Sequence, residues 1–439
     1  MKVAVVGYGI EGEQNYKYWS ARGDQVTIVD ERTPSRTLPE TAETIIGENA
    51  LSQLDDFDLI VRTAGLAPTR LQTDTRVWSA TNEFFKQCPA AIIGVTGSKG
   101  KGTTCSLVTS ILRAAGYTVH LVGNIGTPAL EVLSYIESDH VVVYELSSFQ
   151  LWDLERSPHH AAVLHIEADH LDVHADFAEY IAAKSNIVKF QTRHDTTVYH
   201  PTNEWSRAIA ENMPEFAEQA AKYAAKDNGS PARETVYIDG DNFVTTRGRK
   251  ICAADTLKLP GAHNLDNACA AMSLCLNYEV SDEEFAEGLS AFTGLPHRLK
   301  FVAEHKGVRY YDDSIATTPG SAIAAAYAFG QPKVMILGGS SKGADFTELA
   351  HALQDVKIRK LLLIGDEGAH IAEVFDREEV TNYELIKGEM TDIVARAHEV
   401  AESGDAVILS PACASFGMFR DYKDRGDQFI AAVESLTEG

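Results

Sequence analysis

Two glycine-rich stretches carry residue types that handle phosphate. The first, Gly7-Tyr-Gly-Ile-Glu-Gly12, is a literal G-x-G-x-x-G after a short apolar run, and Asp30 closes the next apolar run. Glycines there allow a tight turn and close backbone approach to a diphosphate at a helix N-terminus, and the carboxylate suits a ribose hydroxyl. Glu11 is awkward beside a diphosphate and is expected to point toward a sugar or base. The second stretch, Gly94-Val-Thr-Gly-Ser-Lys-Gly-Lys-Gly-Thr-Thr104, departs twice from G-x-x-x-x-G-K-[ST]. Val95 stands where the first glycine belongs, and Gly102 separates Lys101 from Thr103. It still follows an apolar strand and opens a helix. Thr96–Gly100 can wrap N–H groups around an anion, Lys101 can offset phosphate charge, and Thr103 can offer its hydroxyl to Mg²⁺.

Composition narrows what such loops can serve. A net charge of −24 argues against sequence-independent binding to nucleic acid or anionic membranes, which needs a basic face. Cationic groups for a nucleotide must therefore be local, and Lys99 and Lys101 supply two. The first residues hold only a short apolar run broken by glycines, and no later stretch offers about 18 uninterrupted apolar residues. A cytoplasmic protein is expected. The 6 cysteines contain no C-x-x-C pair and read as buried or incidental thiols.

A chain of 439 residues exceeds one ordinary core, so two or three domains are expected. Apolar runs at Lys2–Val6, Gln25–Val29 and Phe57–Thr63 alternate with helical stretches, as in a parallel sheet with crossover helices. After Pro89 the pattern restarts with Ala90–Val95, Tyr117–Leu121, His140–Leu146 and Ala161–Ile166. Between about 195 and 255 it shifts to short strands, and Tyr237–Val244 reads as a hairpin because Asp-Gly sits between apolar ends. Asn264 is expected as the N-cap of a helix running to Tyr278. Gly294–Arg298 reads as a connector, and Lys333–Gly339, Lys360–Gly365 and Ala406–Ser410 rebuild an α/β sheet.

With these elements in place, several separated blocks become informative together. They are the Gly94–Thr104 loop, Gly123–Gly126, Glu145-Leu-Ser-Ser-Phe-Gln150, Asp169-His-Leu-Asp172 and Ala182-Ala-Lys184. Further on come Gly261-Ala-His-Asn264 through Asn267, Gly294–Arg298, Leu337–Gly339 with Lys342, and Ser410–Ser415. In order and content the chain resembles the ATP-dependent Mur ligase superfamily, in particular members that add D-glutamate to UDP-N-acetylmuramoyl-L-alanine. The resemblance implies an α/β fold in three domains. These are a Rossmann-like UDP-sugar-binding domain (1–89), a P-loop ATPase-like ATP-binding domain (90–296) and a Rossmann-like amino-acid-binding domain (297–439).

The resemblance also implies roles. Lys101, His170 and Lys184 are the catalytic candidates. Gly97, Ser98, Lys99, Gly100, Lys101, Gly102, Thr103, Thr104, Asn264, Asn267, Arg298 and Asp313 would bind ATP. Two Mg²⁺ sites would draw on Thr103, Glu145, His170 and Lys184, the lysine being carbamylated in the family. Gly9, Ile10, Glu11, Gly12, Asp30, Arg32, Thr63, Gly65 and Asn124 would hold the UDP-sugar. Thr317, Lys342, Ser415 and Tyr422 would hold the amino acid, while Ile315 stands where many relatives have lysine. The expected protein is a monomer with no nucleic-acid or membrane partner. Gly7–Gly12 and Asp30 taken alone would also serve a nicotinamide-dependent oxidoreductase, but that reading leaves the second loop, Glu145, His170 and Lys184 without a task.

Overall fold

The computed structural model describes residues 1–34, 36–124, 127–171, 173–212, 220–341 and 343–437. The chain divides into two compact units, Met1–Leu257 with Leu265–Phe292, and Lys258–Asn264 with Thr293–Gly439.

The first unit begins with a parallel sheet of β1 (Lys2–Val6), β2 (Gln25–Asp30), β3 (Glu43–Ile46), β4 (Leu59–Arg62) and β5 (Val77–Ser79), in the order β3-β2-β1-β4-β5. β4 is buried along its whole length, the pattern of a parallel strand covered on both faces. The order reverses at β1, so the turns after β1 and β4 open at one crevice beyond the carboxyl ends.

The second parallel sheet uses β6 (Ala91–Thr96), β7 (Val119–Gly123), β8 (Val141–Glu145), β9 (His160–Val163), β10 (Thr196–Tyr199) and β11 (Ala220–Lys222), in the order β11-β10-β9-β6-β8-β7. β6 lies between β8 and β9, which places the Thr96–Gly100 loop at the switch point of this sheet. Phe84 and Phe85, from the helix Ala80–Gln87, join the core of this second sheet, and Phe84 meets Tyr144 edge-on at 5.4 Å. The first two sheets therefore share apolar packing across residue 89 and form a single compact unit.

A small antiparallel sheet of β12 (Val236–Asp239), β13 (Asn242–Thr245) and β14 (Lys250–Ala253) completes this unit. Its hairpin spans Tyr237–Val244, as the sequence predicts, and turns on Gly240-Asp241, where Asp239 pairs with Asn242 and Gly240 takes the positive φ of 56°. The following helix is Ala262–Cys275, so Asn264 lies inside its first turn and is not the N-cap. Its Nδ2 instead donates to the Pro260 carbonyl at 2.6 Å.

The second unit holds β15 (Lys300–His305), β16 (Val308–Asp312), β17 (Lys333–Gly338), β18 (Ile358–Ile364), β19 (Tyr383–Leu385) and β20 (Ala406–Leu409), ordered β15-β16-β20-β17-β18-β19. Only the β15–β16 pair is antiparallel. The Lys333–Gly338 strand is buried throughout, with apolar clusters on both faces.

Candidate functional site

The phosphate loop is braced from beneath. Ser98 N–H donates to the His165 carbonyl at 2.9 Å, and Ser98 Oγ donates to the Glu167 carbonyl at 2.8 Å. Tyr180 OH lies 2.8 Å from the same hydroxyl. Gly100 has φ 85°, and a Cβ there would run into the Asn267 side chain, so glycine is required on two counts. Lys101 opens the helix Lys101–Ala114, and its ammonium bridges the Gly97 and Ser98 carbonyls at 2.9 and 3.1 Å. Thr103 and Thr104 are buried in the first turn. Lys99 is largely exposed and pairs with Glu167 at 2.7 Å.

Glu145 closes β8 in register with Val95, at the base of this loop. It is 3 % exposed. Oε1 accepts a long hydrogen bond from Asn124 Nδ2 at 3.3 Å, and Oε2 is buried without a hydrogen-bond partner. A carboxylate oxygen desolvated and unpaired in this way is costly unless a cation meets it. With the Thr103 hydroxyl on the adjoining helix turn, the oxygen donor set suits Mg²⁺.

Lys184, on the helix Phe177–Lys189, is 1 % exposed. Its Nζ donates to the Gly97 carbonyl at 3.1 Å and Thr96 Oγ1 at 3.3 Å, and lies 4.6 Å from the Tyr180 ring centroid. Burial, then the Lys101 charge, hold its pKa well below that of an ordinary lysine, against the pull of Asp169 and Glu145. His170 has the left-handed φ of 55°, its ring centroid is 4.9 Å from that of Phe149, and its Nε2 is 3.5 Å from Asp169. A non-glycine residue in that region is strain that a functional loop often retains. Asp172 lies outside the described residues.

At the N-terminal crevice, Gly7 has φ 90°, and a Cβ on Gly12 would collide with the Gly7 carbonyl. Gly9 and Gly65 face open space, and Ile10 is exposed. Asp30 accepts the Tyr8 N–H at 2.9 Å and the Arg32 N–H at 3.0 Å, so its carboxylate first organises the loop around it. Glu11 Oε2 accepts the Ala64 N–H at 3.0 Å, and burial pushes its carboxyl pKa up. Thr63 Oγ1 donates to the Val6 carbonyl at 3.1 Å. The exposed Asn124 is attached to Glu145 by both backbone and side chain.

The second unit collects its own candidates. Asp313 accepts the Leu299 N–H at 3.0 Å and the Ser410 hydroxyl at 2.8 Å. Burial raises its carboxyl to about 7, and Arg298 pulls the other way. His297 Nδ1 sits 2.7 Å from Asp312 Oδ2 and edge-on to the Tyr422 ring. Tyr422 accepts the Ser314 hydroxyl at its carbonyl, at 2.8 Å. Ser415 is buried and Thr317 half-buried beside these turns. His297, Leu299 and Ala412 all have positive φ, so backbone strain collects here too. Lys342, Ile125 and Gly126 lie outside the described residues.

Thus the first unit gathers residues 97–104, Asn267, Glu145, Lys184 and His170, together with the UDP-sugar candidates. The second gathers Asn264, Arg298, Asp313, Thr317, Ser415 and Tyr422. Sequence reading missed two arginines with no exposed surface. Arg425 donates to Ser314 Oγ and to the Ser314, Cys413 and Ala414 carbonyls, and burial lowers its pKa to about 10. Arg62 ends β4 and pairs with Asp153. The available signal was an arginine closing an otherwise apolar strand, Leu59-Ile-Val-Arg62.

Comparisons with known proteins bear on the family and the fold. The Mur ligase middle domain matches residues 95–275, and the Mur ligase, glutamate ligase domain matches residues 297–413. UDP-N-acetylmuramoylalanine–D-glutamate ligase of Clostridium botulinum is 35% identical over 99% of this chain and 97% of its own length, and that of Clostridium kluyveri gives the same figures. Among solved structures, the fold is shared with UDP-N-acetylmuramate-alanine ligase MurC from Thermotoga maritima (TM-score 0.62, 18% identity, covering 99% of this chain and 100% of that one). It is shared too with MurF ligase from Thermotoga maritima in complex with ADP (TM-score 0.60, 16% identity, covering 99% and 94%). With such identity over nearly its whole length, the chain belongs to the UDP-N-acetylmuramoylalanine–D-glutamate ligase family of Mur ligases.

Proposed function

We propose that the protein joins D-glutamate to UDP-N-acetylmuramoyl-L-alanine in a reaction driven by ATP cleavage, as a cytoplasmic monomer in peptidoglycan precursor synthesis. A carboxylate has no adequate leaving group, so it must first be activated. The alanyl carboxylate oxygen bonds to the γ-phosphorus as the bond to ADP breaks, giving an acyl phosphate. The glutamate amine then bonds to the acyl carbon, inorganic phosphate leaves, and the amine proton goes to solvent.

The observation that carries this reading is the buried, unpartnered Glu145 oxygen at the base of the phosphate loop. Thr103 and Glu145 would hold one Mg²⁺, and His170 with Lys184 a second. When bound, Mg²⁺ neutralises charge as one anion approaches another. Lys101 reaches the β- and γ-phosphates, exchanging its two loop carbonyls for them. The depressed pKa of Lys184 favours its neutral amine, the form that adds CO₂. A new N–C bond with loss of a proton would turn a buried cation into an anionic oxygen donor. By the resemblance, Asn264 and Asn267 would serve the adenine, Asp313 the ribose and Arg298 the phosphates.

The work divides among residues 1–89 for the UDP-sugar, 90–296 for ATP and 297–439 for D-glutamate, with Thr317, Lys342, Ser415 and Tyr422 at the amino acid. Gly9–Gly12, Asp30, Arg32, Thr63, Gly65 and Asn124 line the UDP-sugar path. The net charge of −24 suits neither nucleic acid nor anionic membranes, and no described helix is long and apolar enough to cross a membrane. The test is phosphate release from ATP with each substrate omitted in turn, across a panel of D- and L-amino acids. Release is expected only with the UDP-muramoyl substrate and D-glutamate together. No release with all components present would sink the reading.

A further inference from the structure

Arg62 is fully buried, yet its donors are spread over two separate loops. Nε and Nη2 form a bidentate pair with Asp153, both at 2.6 Å. Nη2 also donates to the Phe149 carbonyl at 3.0 Å. Nη1 reaches the Leu66 carbonyl at 3.1 Å and the Thr63 and Ala64 carbonyls at 3.4 Å. One planar guanidinium thus grips the 63–66 turn on one side and the helix Ser148–Leu151 with Asp153 on the other. Each face is independently secured. Glu11 holds the Ala64 N–H, and Asn82 accepts the Glu155 N–H and donates to the Asp153 carbonyl.

The far side of that helix touches the proposed second cation loop. The Phe149 ring centroid is 4.9 Å from that of His170, and the ring stacks on His174 at 5.4 Å. Ser148 Oγ lies 3.0 Å from His174 Nε2, and His174 N–H donates to the His170 carbonyl at 3.0 Å. A buried ion pair adds little net stability compared with apolar packing of the same volume, so stability alone is a weak reason for an arginine here. Five donors in a fixed fork suit the task of setting two loops in one register.

We propose that Arg62 is a positioning residue that sets the Thr63–Gly65 turn and the His170 loop from a single guanidinium, coupling the seating of the UDP-sugar substrate to the cation site. This rests on the reading of those two segments given above.

The test is steady-state kinetics on the full chain, with wild type, Arg62→Met, Arg62→Lys and Asp153→Asn, each with a thermal melt. Arg62→Met keeps the stem but removes every donor. It is expected to raise the KM for UDP-N-acetylmuramoyl-L-alanine and the Mg²⁺ needed for half-activity by about 10- to 100-fold. The KM for D-glutamate should stay within about twofold, since none of the Arg62 donors contacts a candidate amino-acid residue. Arg62→Lys should recover part of both shifts, and Asp153→Asn should move both in the same direction. If Arg62→Met does not fold, the other two variants carry the same readouts. A folded variant with a lower melting temperature but unmoved substrate and Mg²⁺ constants overturns the proposal while the ligase reading stands. Wild type without phosphate release overturns that reading and this proposal with it.

Discussion

Lys101 holds its own loop carbonyls, so removing it both loosens the loop and deletes the cation that phosphate needs. Lys101→Ala is expected to lower phosphate release by at least about a hundredfold while UDP-substrate binding, measured by calorimetry, stays near wild type. Parallel loss of both would mean that the two glycine loops do not divide the work. Lys184→Ala removes the buried amine but leaves room, and a small carboxylate such as acetate is expected to restore part of the activity. No recovery over a broad concentration range would count against a carbamate there. Asp313 gives a pH test. Its carboxyl sits at about 7 in the fold against an ordinary 3.8, so the native state keeps a proton that the unfolded chain has released. Stability from this group is full below the ordinary value and is lost as pH rises toward 7. Asn can keep both hydrogen-bond partners without that penalty. Asp313→Asn should therefore gain in melting temperature relative to wild type at about pH 8 compared with about pH 5, and the reverse order would contradict the assigned cause.

At the scale of elements, two of the three glycines in the N-terminal loop separate fold from ligand. A Cβ on Gly12 meets the Gly7 carbonyl, whereas Gly9 has an ordinary φ of −96° and open space around it. Gly12→Ala is expected to cost about 1–3 kcal/mol in denaturant unfolding. Gly9→Ala should stay within about 0.5 kcal/mol of wild type and weaken UDP-substrate binding, since its methyl would stand where a diphosphate approaches. Equal destabilisation of the two would argue against this division. The elements themselves were readable because parallel strands and crossover helices impose distinct periods. The Glu145 strand end and the Lys184 helix follow directly from those periods. Side-chain direction did not follow. The Ala64 N–H that Glu11 accepts comes from a turn 53 residues away, which no local pattern places beside it.

For the whole molecule, the limit of sequence reading lies in long-range packing. The break at Pro89 marks where one sheet ends and the next begins, but Phe84 and Phe85 belong to the core of the following sheet. Arg62 and Asp153 are 91 residues apart, and no local pattern predicts such a pair. Long-range contacts of this kind decide which loops share a register, so the candidate residues were legible as types and positions while their mutual support was not. The proposed reaction binds these scales together through one oxygen atom, the one that would pass from substrate to phosphate. Enzyme supplied with ATP, D-glutamate and UDP-N-acetylmuramoyl-L-alanine labelled with ¹⁸O in its terminal carboxylate tests that transfer directly. Mass spectrometry of the released inorganic phosphate is expected to find a single labelled oxygen in each molecule. Phosphate free of label, alongside formation of the amide, would contradict an acyl phosphate.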